Sequence, residues 1–137
     1  MPDLLEQPSY ALIAGELCRL NRRGSATKRH KPLGVRVAEF LIHEGRIFVR
    51  EDAGDFLVGM PHLYCLDQNL FITWLAELPP DGETYTQMRG VADGCLLCQG
   101  SSGRLLAVNG ENGHLLAELP ASAEALARQA EPELNFN

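Results

Sequence analysis

The chain has no basic opening followed by an apolar block, and it nowhere runs through the roughly 18 apolar residues that a membrane-crossing helix requires. Its first residues instead include Asp3, Glu6 and two prolines. These absences argue against a secretory leader and a helical span, so the expected location is cytoplasmic, where cysteines stay reduced. Aromatic residues are sparse, at 7%, with a single tryptophan. Catalytic signatures are also missing. His30, His43, His62 and His114 are scattered, and Gln99-Gly100-Ser101-Ser102-Gly103 lacks the Gly-x-Ser-x-Gly spacing of a nucleophile elbow. There is no phosphate-binding glycine loop. Cys95 and Cys98 have the spacing of half a zinc site but no second pair at knuckle spacing, and His62 with Cys65 has the same shortcoming. On a strand, residues three apart point to opposite faces, so such a pair diverges. No catalytic, cofactor or metal residue is assigned on these grounds. Glu51, Asp52 and Asp55 cluster close to the long loop of the second unit, where acids can bind a cation, but a run of this composition is more often solvated.

One absence is local. Between Leu17 and Ala38 there is no Asp or Glu, while Arg19, Arg22, Arg23, Lys28, Arg29, Lys31 and Arg36 fall within it. The window carries +7 and the remainder of the chain −13, which makes the molecule dipolar if the fold keeps the two apart, and the basic run reads either as a solvated loop or outer strand or as a grip on an acidic protein surface. The lack of interleaved aromatics and the acidic remainder argue against nucleic acid.

What is present suits one globular domain spanning residues 1–137, with 45% apolar and 22% charged residues, well away from disordered compositions. The chain also repeats itself. Leu63, Leu66 and Asp67 align with Leu105, Val108 and Asn109, and Leu75-Ala76-Glu77-Leu78-Pro79 aligns with Leu116-Ala117-Glu118-Leu119-Pro120, the register differing by one residue in the intervening turn. A fainter copy upstream carries Leu17, Leu20 and Asn21, giving spacings of 46 and 42 residues. Such periods belong to propeller blades and to some helical repeats. Two acid-Gly turns, Glu44-Gly45 and Asp93-Gly94, each joining short apolar runs, decide for strands.

Strands are expected near 35–42, 46–51, 62–67 and 71–78 in the second unit, and near 86–92, 95–99, 104–109 and 114–119 in the third. The units span about 9–32 (partial), 35–79 and 84–120. Runs such as Cys95-Leu96-Leu97-Cys98 are apolar at successive positions, as expected for strands covered on both faces. Ser122 opens a stretch of helix formers ending at Pro132, so a short helix and tail are expected over 121–137, the last five residues offering an edge strand to the first unit. The expected fold is thus all-β and mainly antiparallel with a short C-terminal helix: two to three four-stranded blade-like units in an incomplete ring.

Ala107, Asn109, Asn112, Gly113 and Ala117 follow the spacing of the repeat in quinoprotein-type β-propellers, whose Asp, Thr and Trp positions are replaced here, while the second copy keeps Asp67 and Trp74. The chain resembles that family in fold. The resemblance implies that Trp74 locks neighbouring blades together, and it maps no residue that would hold a quinone cofactor or its metal. Too few blades are present to close a ring, so association is expected, either as two chains pairing into a six-bladed ring or with another protein covering the open blades. An open, bent sheet is the remaining arrangement.

The loop Asp55-Phe56-Leu57-Val58-Gly59-Met60-Pro61 places apolar residues where connections are normally polar. Phe56, Leu57 and Met60, together with Arg22, Arg23, Lys28, Arg29 and Lys31, are the candidate partner-binding residues. The functional expectation is a non-catalytic protein-protein interaction module, such as an accessory subunit or an immunity-type protein. A small-molecule or sugar-binding protein that oligomerises into a closed propeller is the alternative. Sugar sites usually stack on Trp or Tyr, and here Trp74 falls in an outer strand while Tyr85 alone sits near a turn.

Overall fold

The computed structural model describes residues 8–119, whose strands form three antiparallel sheets. The first sheet contains β1 (Ser9–Ile13), β2 (Glu16–Leu20) and β3 (Ala26–His30). The second contains β4 (Val37–His43), β5 (Arg46–Glu51), β6 (Leu63–Leu66) and β7 (Ile72–Leu75). The third contains β8 (Tyr85–Ala92), β9 (Cys95–Gly100), β10 (Leu105–Asn109) and β11 (Leu115–Leu119). Each sheet is a meander with strands adjacent in chain order, so the grouping is blade-like, and among the described residues no strand pairing closes the sheets into a ring. The helix expected from Ser122 and the edge strand expected from the tail lie outside the described residues. Among the described residues, no helix is long and apolar enough to cross a membrane.

Local chemistry explains the turns. Three hairpins, β1–β2, β4–β5 and β8–β9, turn on Ala14-Gly15, Glu44-Gly45 and Asp93-Gly94, with positive φ at both residues of each pair. That geometry matches the twist of the flanking strands. A second turn type repeats with the sequence. After β2, Asn21 accepts from the backbone N–H groups of Arg23 and Ser25 through Oδ1, at 2.9 and 3.0 Å. After β6, Asp67 accepts from Asn69 and Phe71 in the same way, at 2.8 and 3.0 Å. After β10, Asn109 accepts from Glu111, and the turn is one residue longer, closing through Asn109 N to His114 O. The repeated Asn or Asp is therefore the acceptor that folds the turn locally.

The faces alternate as the pleat requires. Ile47, Val49, Tyr64 and Leu66 of the second sheet point back and pack with Leu17 of β2. Phe48, Leu63, Cys65 and Trp74 point forward and pack with Leu96, Cys98, Leu106 and Val108 of the third. The central sheet is thus covered on both sides, which explains its unbroken apolar runs. Cys18, Leu97 and Leu105, turned away from the second sheet, are also buried.

Each sheet reaches the next from the same place. Lys28 stands opposite Arg19, Trp74 opposite Cys65 and Ala117 opposite Ala107, three equivalent positions on the outer strands. Lys28 Nζ donates to Asn69 O at 3.4 Å and sits 5.0 Å above the Phe71 ring. Trp74 Nε1 donates to Gly110 O at 3.1 Å, and its indole lies so close to Gly113 that a Cβ there would be 2.5 Å from Cε3. Ala117 has no donor to extend the series.

Replacing Trp74 with Ala is expected to cost about 3–5 kcal/mol in urea unfolding, from the lost packing and the cavity left behind. Gly113→Ala is expected to destabilise as well, since its φ is +80° and the indole fills the space. An unchanged unfolding midpoint for Trp74→Ala would remove the indole from the interface between sheets.

Candidate interaction surface

The loop between β5 and β6 begins at a buried acid. Glu51 is fully buried, and its carboxyl group accepts from the backbone N–H groups of Leu33 and Gly34, each at 2.8 Å, and from the hydroxyl of Tyr64. Because the Tyr64 hydrogen goes to Glu51, the 2.6 Å contact between His30 Nε2 and the Tyr64 oxygen is donated by the imidazole. Glu51 therefore belongs to the interior, unlike Asp52 and Asp55, which stay exposed as the sequence suggests. The buried carboxyl group is satisfied by three donors, the condition under which such a group is tolerated inside a protein.

From there the loop is built in short steps. Asp52 caps a 3-10 turn, Ala53–Asp55, by accepting from Gly54 N at 2.9 Å. Phe56 turns inward, with its ring 6.3 Å from that of His62 and its edge against Gly34, where a Cβ would be 2.7 Å from Cε1. A turn follows in which Met60 N donates to Leu57 O at 3.1 Å, with Gly59 at φ +89°. His62 closes the loop. Its Nε2 accepts from Tyr85 N at 3.1 Å, and the Met60 backbone also interacts with the ring. Both ends of the loop are thus tied to the sheets.

The result is an apolar tip held outward. Leu57 is 79% exposed, Met60 49%, and Val58 is fully exposed. Behind it lies an open cleft of about 230 Å³ lined by Phe56, Met60, His62, Leu78, Pro79 and Thr84, among others. Of the three apolar loop residues assigned from the sequence, Leu57 and Met60 face solvent, whereas Phe56 is the half-buried foot of the loop. Val58 is the most exposed member and belongs to the surface. Its place in the turn with Gly59 was the signal for it.

Arg22, Arg23, Lys28, Arg29 and Lys31 are all exposed on the outer strand of the first sheet or beside it. Lys28 and Arg19 are used within the molecule, the latter donating to Gln68 O at 3.1 Å and to Asn69 Oδ1 at 2.9 Å. Arg29 lies 3.5 Å from Glu16 in an exposed pair. The basic strand and the apolar loop are separate patches, linked through His30, Tyr64 and Glu51.

Cys98 points into the core between the second and third sheets, and burial pushes its thiol well above the usual range. Among the described residues, no three His, Cys, Asp or Glu side chains gather as metal ligands would. No protein-family model matches the chain, and comparison with curated proteins gives no match.

Burial pushes both His30 and His62 below the ordinary imidazole range, with Glu51 partly opposing the effect at His30. An unfolded histidine titrates near pH 6.5, so on acidification the unfolded chain takes up these protons first. The contribution is complete above that pH and is lost as pH falls from about 6.5 toward the lowered folded values. The melting temperature is expected to drop between pH 7 and pH 5, and to drop less in His30→Gln, whose amide can still donate to Tyr64 but does not titrate. Equal pH dependence in the two proteins would contradict a neutral, buried His30.

Proposed function

We propose that this chain is a non-catalytic protein-interaction module, a stack of propeller-like blades that serves a partner as an accessory or immunity-type subunit does. The observation that carries the reading is the apolar tip, Leu57, Val58 and Met60, exposed on a loop fixed at both ends. Exposed apolar side chains on a mobile loop would cost ordering entropy on binding. Fixed ones arrive preorganised. A contiguous exposed apolar patch of this kind is the usual mark of a contact site.

Other observations lean the same way. His30 and His62 are engaged in structural hydrogen bonds, which leaves them poorly placed as proton-transfer groups. Among the described residues lining the cleft behind the loop there is no Trp or Tyr, the side chains on which sugars usually stack. Pairing of two chains into a ring draws less support than a different partner. The end-sheet residues Cys18, Leu97 and Leu105 are buried in the single chain, and Ala117 cannot repeat the contact that Lys28 and Trp74 make.

The test is a comparison of wild type with a Leu57→Ala, Val58→Ala, Met60→Ala variant in affinity capture read by quantitative mass spectrometry, both proteins having first been shown to melt alike. At least one protein held by the wild type should be lost from the variant, and its dissociation constant should weaken by about 1–2 kcal/mol or more. Phe56 is left intact because it supports the loop. The same proteins retained with the same affinities would take the loop out of the interface.

A further inference from the structure

The outer edge of the first sheet presents a second surface. Strand β3 pairs with β2 alone among the described residues, so its other edge offers backbone groups to an added strand. Its charge is one-sided. The window from Leu17 to Ala38 holds seven cations and no acid. The two cations aimed at the second sheet, Arg19 and Lys28, are engaged there. Arg29 stands opposite Cys18 on the other face, 3.5 Å from Glu16 in a pair that leaves most of its side chain exposed, and in an extended chain Lys31 falls on the same side as Arg29. Arg23 extends the basic surface in the turn before β3, its backbone held by Asn21.

We propose that this edge binds an acidic, extended segment of a partner protein, which adds as a strand beside β3 with its carboxylates toward Arg29, Lys31 and Arg23. The proposal rests on reading the chain as an interaction module and names the chemistry of a partner at a surface distinct from the apolar loop. Charge complementarity selects the occupant. A second copy of β3 would bring like charges together, whereas an acidic strand gains hydrogen bonds and ion pairs at once. A polypeptide is favoured over nucleic acid because the basic window contains no Phe, Trp or Tyr on which a base would stack. The net −13 outside the basic window would also repel a polyanion longer than the strand.

The experiment is fluorescence anisotropy with the intact chain and four labelled probes: a ten-residue peptide of alternating Glu and Val, its Lys and Val counterpart, the acidic peptide with alternate backbone N-methyl groups, and oligo-dT of similar length. The acidic peptide should bind and weaken with added salt, and Arg23→Glu with Lys31→Glu should reduce its affinity by about tenfold or more. The N-methylated peptide should bind about as poorly as the Lys counterpart. The Leu57→Ala, Val58→Ala, Met60→Ala variant should bind the acidic peptide as the wild type does. No binding of the acidic peptide, equal binding of the N-methylated peptide, or equal binding of oligo-dT would each overturn the proposal. Peptide binding alongside unchanged capture by the loop variant would leave this inference standing while removing the loop from the proposed function.

Discussion

The buried carboxyl group of Glu51 is the constraint on which both surfaces depend. It closes the last strand before the apolar loop, so the loop departs from a fixed point. Through Leu33 and Gly34 it holds the chain leaving the basic strand, and through Tyr64 it reaches His30 at the end of that strand. Phe56 then packs against the Gly34 that Glu51 has positioned. A buried acid is costly unless its lone pairs are filled, and filling them requires the linker, β6 and β5 to be in place together. The cost of leaving it unsatisfied couples these segments.

The stacking of the sheets follows a second, simpler rule. Strands at the centre of the stack bury both faces, so each can be apolar throughout, and one residue on the outer strand of each of the first two sheets reaches the turn of the following sheet. Lys28 does so with its amine and a cation–π contact, and Trp74 with its indole N–H and the area of its ring. The two side chains differ completely in character and share a position, which is why sequence similarity at that point is poor while the geometry is kept. Ala117 occupies the same place in the third sheet with nothing to donate.

Much of the fold was legible because its signals are local. The acid-Gly turns, the Asn and Asp that accept backbone hydrogens after β2, β6 and β10, and the doubly covered apolar runs each act within a few residues. Even the one-residue difference in register has its cause in the longer turn after β10. Glu51 was not legible. Beside Asp52 and Asp55 in an acidic run at the end of an expected strand it reads as a solvated acid, and only the approach of Leu33, Gly34 and Tyr64 from elsewhere in the chain makes it a core group. The inward turn of Phe56 and the internal use of Lys28 were hidden for the same reason, since each depends on a partner distant in sequence. The exposure of Leu57 and Met60, by contrast, follows from an apolar stretch placed in a long connection.

The central claim is that one buried cluster holds both surfaces in place. Amide hydrogen exchange on Glu51→Gln beside the wild type tests it most directly, because the amide keeps the shape but offers its NH₂ group where an acceptor is needed. Protection is expected to fall together at Leu33 and Gly34, along β3 and through residues 52–62, while the third sheet exchanges as before. Unchanged exchange at β3 and at the loop, or an equal loss across all three sheets, would contradict the account.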